Sequence, residues 1–324
     1  MPISLLKFPT DLLREVFKLC DPFELYKLSK CSKRTQRFIM LGGTKNWKIY
    51  YTGGNSMIIL VDCWYYNFMG TNNPEEHFET HHYGSIHLMH IECPNGNAVD
   101  LFVHLIDTFG IRFVKSFETM SDKFDNVSKV AQVFVDKNME IVQFEIRNFD
   151  EVQDVANFMP IMKQMNITKR FSCHQKFPPN FQHQWIKYPK EIDIGESFWF
   201  TIDQLLNCTC VEIKLDKSSL NNHDLNVFLQ KWKKTGEFPN LRSLKVRSEN
   251  IDNQSPILEM IPPIVDVKNQ RVSALIYNDF YIRMIDAVRV TKDDGTGGRL
   301  RVDVGDWPEL NFLIANPADE DDNW

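Results

Sequence analysis

The chain has 324 residues, enough for one or two domains at about 100–200 residues each. Its 43% hydrophobic and 25% charged content is that of a folded protein with a sizeable core. A formal net charge of −6 excludes a general nucleic-acid or anionic-membrane binder, which needs a basic face, and the longest apolar run, residues 57–61, is far too short to span a bilayer.

Seven cysteines stand at irregular spacings with no signal peptide before them. An odd, unpatterned set of this kind predicts reduced thiols in the cytoplasm or nucleus.

Residues 8–39 read as three short helices. In the first, Thr10 is placed to cap, Asp11 sits in the first turn, and Leu12, Leu13, Val16, Phe17 and Cys20 fall on one helical face. Asp21-Pro22-Phe23-Glu24 then offers a cap, a proline at the first helical position and a carboxylate three residues after the cap. Phe23, Leu25 and Leu28 continue the apolar surface. A third helix begins near Ser32, with Thr35, Phe38 and Ile39 inward and Lys33, Arg34 and Arg37 outward. So small a unit buries too little surface to hold itself together, so it must dock on a partner or on the rest of its own chain.

The segment resembles an F-box. The matches are Phe8-Pro9, Leu12-Leu13, Val16-Phe17, Asp21-Pro22, Leu25, Leu28 and Cys31-Ser32, in ungapped spacing; the departures are Cys20, where the family favours leucine, and Thr35, where it often has tryptophan. The resemblance implies that these twelve matching residues bind a Skp-type adaptor and, through it, a cullin-RING ubiquitin ligase. Leu12, Val16, Phe17 and Leu25 are expected to carry most of that docking, as apolar anchors at a patch centre do.

Leu41-Gly42-Gly43 is the expected hinge, giving an F-box of residues 1–43. Two strands joined by Gly53-Gly54-Asn55 read as a hairpin. Residues 70–74 read as a loop, and 75–82 are polar. Strand-like runs follow, centred near Ile86, Val114, Val142, Phe171, Ile213, Val246 and Ala274. Most are about 28 residues apart and one step is about 42. Helical patterns fill several gaps, at 97–109, 126–138, 150–165 and 222–234. A strand and a helix every 28 residues or so is the period of a leucine-rich-repeat solenoid. The expected fold is therefore α+β, a three-helix F-box followed by an irregular leucine-rich-repeat-like β/α domain over 44–315; a mixed-sheet α+β domain would use the same elements. Residues 316–324, with Asp319, Glu320, Asp321 and Asp322, read as a frayed, disordered acidic tail.

The clearest unit is 199–246. Val211, Ile213 and Leu215 alternate with Glu212, Lys214 and Asp216. Leu225, Phe228, Leu229 and Trp232 form a helical stripe ending near Gly236, and Leu241, Leu244 and Val246 mark another strand. The order WFTIDQLLNCTCVEIKL, SSLNNHDLNVFLQKWKKTG, FPNLRSLKV is similar to the type 2 F-box-associated domain of a family expanded in nematodes, with 289–304 around Asp294-Gly295 similar to its closing hairpin. That resemblance implies a substrate-recruiting module. If the strands lie side by side, Glu145, Arg147, Glu212, Lys214, Asp216, Lys245 and Arg247 form its outward face and the expected protein-substrate surface.

No motif demands catalysis or a cofactor. His77, His81, His82, His87, His90 and Cys93 cluster, but their spacing matches no closed zinc site. Cys208-x-Cys210 reads as two buried thiols on one strand face. Asp293-Asp294-Gly295-Thr296-Gly297-Gly298 reads as a hairpin turn, lacking the Walker lysine and the spaced ligands of a calcium loop. The expected protein is a non-enzymatic specificity subunit of an SCF-type ligase that binds neither metal, nucleic acid nor membrane. The alternatives are an F-box scaffold outside any ligase and a metal-dependent enzyme using the histidines.

Overall fold

The computed structural model describes residues 8–42, 47–54, 56–119, 124–147, 149–267, 272–277 and 280–314; the expected acidic tail lies outside them. Helices and strands alternate through much of the chain, a mixed α/β architecture, in two compact units, Met1–Thr168 and Lys169–Trp324.

The first unit opens with α1 (Thr10–Leu19), α2 (Pro22–Cys31) and α3 (Lys33–Gly42). The capping box at the start of α2 is formed: Asp21 Oδ1 accepts from the Glu24 amide at 2.8 Å and Glu24 Oε2 from the Asp21 amide at 2.9 Å. Ser32 Oγ caps α3 by accepting from the Thr35 amide at 3.0 Å. Thr10, by contrast, is already inside α1; Pro9 holds the cap position with no side-chain hydrogen bond.

The strands are β1 (Lys48–Tyr51), β2 (Ser56–Val61), β3 (Trp64–Thr71), β4 (Thr80–Tyr83), β5 (Ile86–Glu92), β6 (Phe113–Glu118) and β7 (Glu140–Ile146), in the order β4-β5-β3-β2-β1-β6-β7. Helices α4 (Ala98–Phe109), α5 (Phe124–Asp136) and α6 (Val152–Met162) pack side by side. An aromatic from each of β1, β6 and β7 meets one from α4, α5 and α6 in turn: Tyr51 with Phe102 at 4.7 Å, Phe117 with Phe134 at 5.0 Å, Phe144 with Phe158 at 5.6 Å.

The helices α1–α3 dock on this sheet. Phe23 of α2 sits edge-on to Phe68 of β3 at 5.0 Å and to Tyr66 at 5.2 Å, and Tyr26 packs on Phe68 at 5.5 Å. Burial pushes the Tyr26 phenol up, and Glu92 adds to the shift. The first compact unit consequently carries these helices and the sheet together, up to Thr168. Local pattern cannot show this, because Phe68 lies far along the chain from Phe23.

In the second unit, β8 (Asn166–Cys173, beginning just before the boundary), β9 (Glu191–Ile194), β10 (Glu212–Leu215) and β11 (Ser243–Arg247) pair in parallel in chain order. Helices α7 (Ile202–Asn207) and α8 (Asn222–Lys233) make two of the crossovers. The hairpin β12 (Val272–Tyr277) and β13 (Phe280–Met284) forms its own two-stranded sheet; β14 (Val288–Thr291), β15 (Gly297–Asp303) and β16 (Glu309–Ile314) then return antiparallel against β11.

The repeat rhythm is kept only in part. Ile86 opens β5, which pairs with β3 and β4, whereas β6 pairs with β1 and β7. Ala274 lies in β12, which pairs with β13. The long step from Phe171 to Ile213 hides β9, whose four residues are too short for an alternation signal. Residues 70–71 end β3 rather than belonging to a loop, and Leu205 and Leu206 belong to α7. The two-thiol stretch Cys208–Cys210 is irregular chain ahead of β10, not strand.

Candidate protein-docking surfaces

Two apolar stripes run along α1, and they face different ways. Leu13 and Phe17, each 1% exposed, point into the helical core with Leu25 and Pro22. Leu12 is 47% exposed and Leu19 87%, with Val16 half-buried between them. Leu12, Val16 and Leu19 fall at i, i+4 and i+7, a helical face of their own. Reading Leu12-Leu13 and Val16-Phe17 as one face merges these stripes and misses Leu19.

Of the twelve sequence-expected adaptor contacts, Pro9, Leu12 and Cys31 are exposed. Phe8, Val16, Asp21, Leu28 and Ser32 are half-buried, and Leu13, Phe17, Pro22 and Leu25 are buried. Phe17 and Leu25 therefore act as core, shaping the surface rather than forming it. Beneath the helices, Lys30 Nζ lies 3.1 Å from His104 Nε2. Burial, with Lys30 beside it, holds the His104 imidazole below its ordinary pKa, and burial likewise lowers Lys30.

The outward face of the second unit is an ion-pair lattice. Lys214 lies opposite Asp193 and Lys245, and Arg247 opposite Glu309, because residues in register on adjacent strands share a face. Asp193 Oδ2 takes Arg170 Nη2 and Lys214 Nζ, each at 3.2 Å. Glu309 accepts from Lys245 at 2.9 Å, Arg247 Nη2 at 2.6 Å and Asn311 at 2.6 Å. Burial pulls the Glu309 carboxyl up, but these three hydrogen bonds outweigh it and hold the pKa below its usual value. Asp216 reaches Arg247 at 3.6 Å. Glu212 stands opposite Glu191, and burial first, then that like charge, raises its pKa.

Glu145 and Arg147 lie in the first unit. They pair with each other, Arg147 Nε to Glu145 Oε1 at 2.7 Å, with Arg147 one residue past β7. The seven expected residues thus form two groups, five in the second unit and two in the first. Arg170, Asp193, Glu309 and Asn311 were not expected; alternation in ELNFLI marked Glu309 and Asn311 as outward.

Two family models match parts of the chain. A model of the F-box domain matches residues 5–41, and a model described as F-box associated matches residues 174–246. The chain carries an F-box and an F-box-associated domain. No curated protein and no solved structure matches it. F-box domains generally bind Skp-type adaptors. The F-box-associated match spans β9, β10 and β11 with the irregular segment before β9.

The remaining sequence candidates are structural in their contacts. His82 and His87 face each other across β4 and β5 with their Nδ1 atoms in contact, and His87 packs on Trp64 and Tyr66 at 4.9 and 5.1 Å. His90 lies 3.4 Å from Glu76 and His81 3.9 Å from Glu79. Among the described residues no group of three or more such side chains could hold a metal ion, and no helix is long and apolar enough to cross a membrane. Cys210 Sγ donates to the Pro189 carbonyl at 3.0 Å; burial, with Cys208 beside it, drives its thiol pKa well up. Asp294 Oδ1 accepts from the Thr296 amide at 2.9 Å in the β14–β15 hairpin turn.

Proposed function

We propose that this protein is the substrate-recognition subunit of an SCF-type ubiquitin ligase in the cytoplasm or nucleus, where its seven free cysteines stay reduced. The F-box docks a Skp-type adaptor through Leu12, Val16 and Leu19, with the exposed Pro9 and Cys31 and the half-buried Leu28 as further contacts. The observation that carries this reading is the F-box match together with an α1 face that the chain's own packing leaves exposed. Fully burying a leucine is worth about 1.5–3 kcal/mol, so an adaptor covering this stripe gains substantially.

The F-box-associated part selects a protein substrate. The parallel run β8 to β11 supports a repeat-like reading of this region, with Glu212, Lys214, Asp216, Lys245 and Arg247 on its outward face and Glu145 and Arg147 as further contacts. Because most of these charges are paired internally, their contribution is to specificity and encounter rate more than to affinity. No residue of the chain enters the chemistry; ubiquitin transfer is promoted by holding substrate close to the loaded conjugating enzyme.

Affinity purification of the full chain with the proteasome inhibited tests the reading. Recovery of a Skp-type adaptor together with a cullin is expected. Adaptor without cullin would favour a scaffold outside a ligase, and recovery of neither would remove the proposal.

A further inference from the structure

The crossover from β8 to β9 lacks a helix. Residues 174–190 run as irregular chain, yet they are firmly anchored. Trp185 packs on Phe171 of β8 at 5.1 Å, and Phe177 and Phe181 pack on Trp199 at 5.4 and 5.2 Å. The Tyr188 hydroxyl donates to the Gln204 carbonyl at 3.2 Å, and Gln204 Nε2 donates to the His183 carbonyl at 2.6 Å. An aromatic loop thus takes the place of a helix, and a cleft of about 1090 Å³ opens between it and α7.

We propose that this cleft binds an extended, uncharged peptide segment carrying an apolar side chain, and is a substrate-recognition site of the protein. Its size exceeds the roughly 300–1,000 Å³ of small-molecule sites and suits a length of chain. Lys187 and Asp203 are the charged residues in its lining, and they cancel; carboxamides of Asn180, Gln182, Gln184 and Asn207 are exposed around it. A carboxamide offers both a donor and an acceptor, the complement of a peptide group.

The lining also holds unmet hydrogen-bonding capacity. Gln204 is 9% exposed, and its Oε1, like the indole N–H groups of Trp185 and Trp199, has no hydrogen-bond partner among the described residues. Buried polar groups left in that state in a native fold call for an explanation. Ile186, 75% exposed on the same wall, offers an aliphatic contact. The indole faces are largely taken by neighbouring rings, with Trp199 5% exposed. That favours an apolar side chain and backbone amides over a sugar, which needs an open aromatic face on which to stack. The loop is held before any ligand arrives, so little ordering opposes binding.

The inference deepens the substrate-recruiting reading and rests on it only for the source of the peptide. The test is selection of a phage-displayed library of random dodecapeptides on the full chain bound to its adaptor, with a glycan array in parallel. Ile186→Glu and Gln184→Glu each put a carboxylate on an exposed wall residue, where the fold tolerates it. Selected peptides are expected to share an apolar residue flanked by uncharged ones, and each variant is expected to weaken their binding by about tenfold. Adaptor and cullin association should stay unchanged. Peptides indifferent to both variants, peptides rich in charge, no selected peptides, or glycan binding in their place would overturn the proposal. Peptide binding at the cleft without cullin association would uphold it while removing the ligase reading.

Discussion

Replacing Leu12 and Leu19 together by alanine should separate docking from folding. Leu19 has nearly all of its surface left to bury and Leu12 about half. At about 1.5–3 kcal/mol for a fully buried leucine, an adaptor covering both gains up to about 2–4 kcal/mol, or about thirtyfold to a thousandfold in affinity. The free protein should hardly notice, since exposed substitutions on a helix usually change stability by less than about 0.5 kcal/mol. Phe17→Ala should do the reverse. Phe17 is 1% exposed, so its removal should cost about 3–5 kcal/mol of stability and affect the adaptor only through loss of the F-box fold. The assay pairs urea denaturation of the full chain with titration of the purified adaptor by calorimetry. Full-strength adaptor binding by the double leucine variant would refute the assignment of the outer stripe. So would a Phe17→Ala protein that stays as stable as the parent yet fails to bind, because Phe17 would then be an interface anchor rather than core.

Three further outcomes follow from the geometry. Asp21→Ala removes one half of the capping box and should cost about 0.5–2 kcal/mol by urea denaturation; a much larger loss would mean that Asp21 has a second role. The depressed Glu309 carboxyl contributes stability that is present above its ordinary pKa of 4.5 and is lost as pH falls through the lower folded value. Glu309→Gln should therefore flatten the acid limb of the stability–pH profile and cost about 1–2 kcal/mol at neutral pH, discounted for the partial exposure of Lys245 and Arg247; an unchanged acid limb would count against the network. Gly298→Ala would place a Cβ 2.8 Å from Phe312 Cε2 and 3.0 Å from Trp232 Cη2, both in fully packed rings, and should destabilise by about 1–3 kcal/mol in the same denaturation assay.

What the sequence determined by itself is the short-range part. The capping box at Asp21 to Glu24, the α8 stripe of Leu225, Phe228, Leu229 and Trp232, and the hairpin around Asp294-Gly295 all appear where the residues placed them. Each rests on contacts within a few positions along the chain, so local spacing carries the energy. The F-box itself was legible through its resemblance to a known family, carried by Phe8-Pro9, Leu12-Leu13, Val16-Phe17 and Asp21-Pro22.

The tertiary structure decided the rest. Leu12 and Leu13 are adjacent and chemically identical, yet one faces solvent and the other the core, because burial depends on which stripe α2 and α3 cover. Phe23 and Tyr26 lie in a helical unit too small to hold itself together, whose cover the local pattern does not name; β3 supplies Phe68 and Tyr66 and makes them a seam within a larger unit. Lys214 and Lys245 looked like free outward charges until strand register put Asp193 and Glu309 beside them. Phe177, Phe181, Trp185 and Tyr188 stand at helical spacing, yet 174–190 is irregular chain, since a segment that replaces a helix is shaped by what it packs on. In each case the deciding partner lies tens of residues away in the chain, and long-range burial and register leave no mark on local pattern.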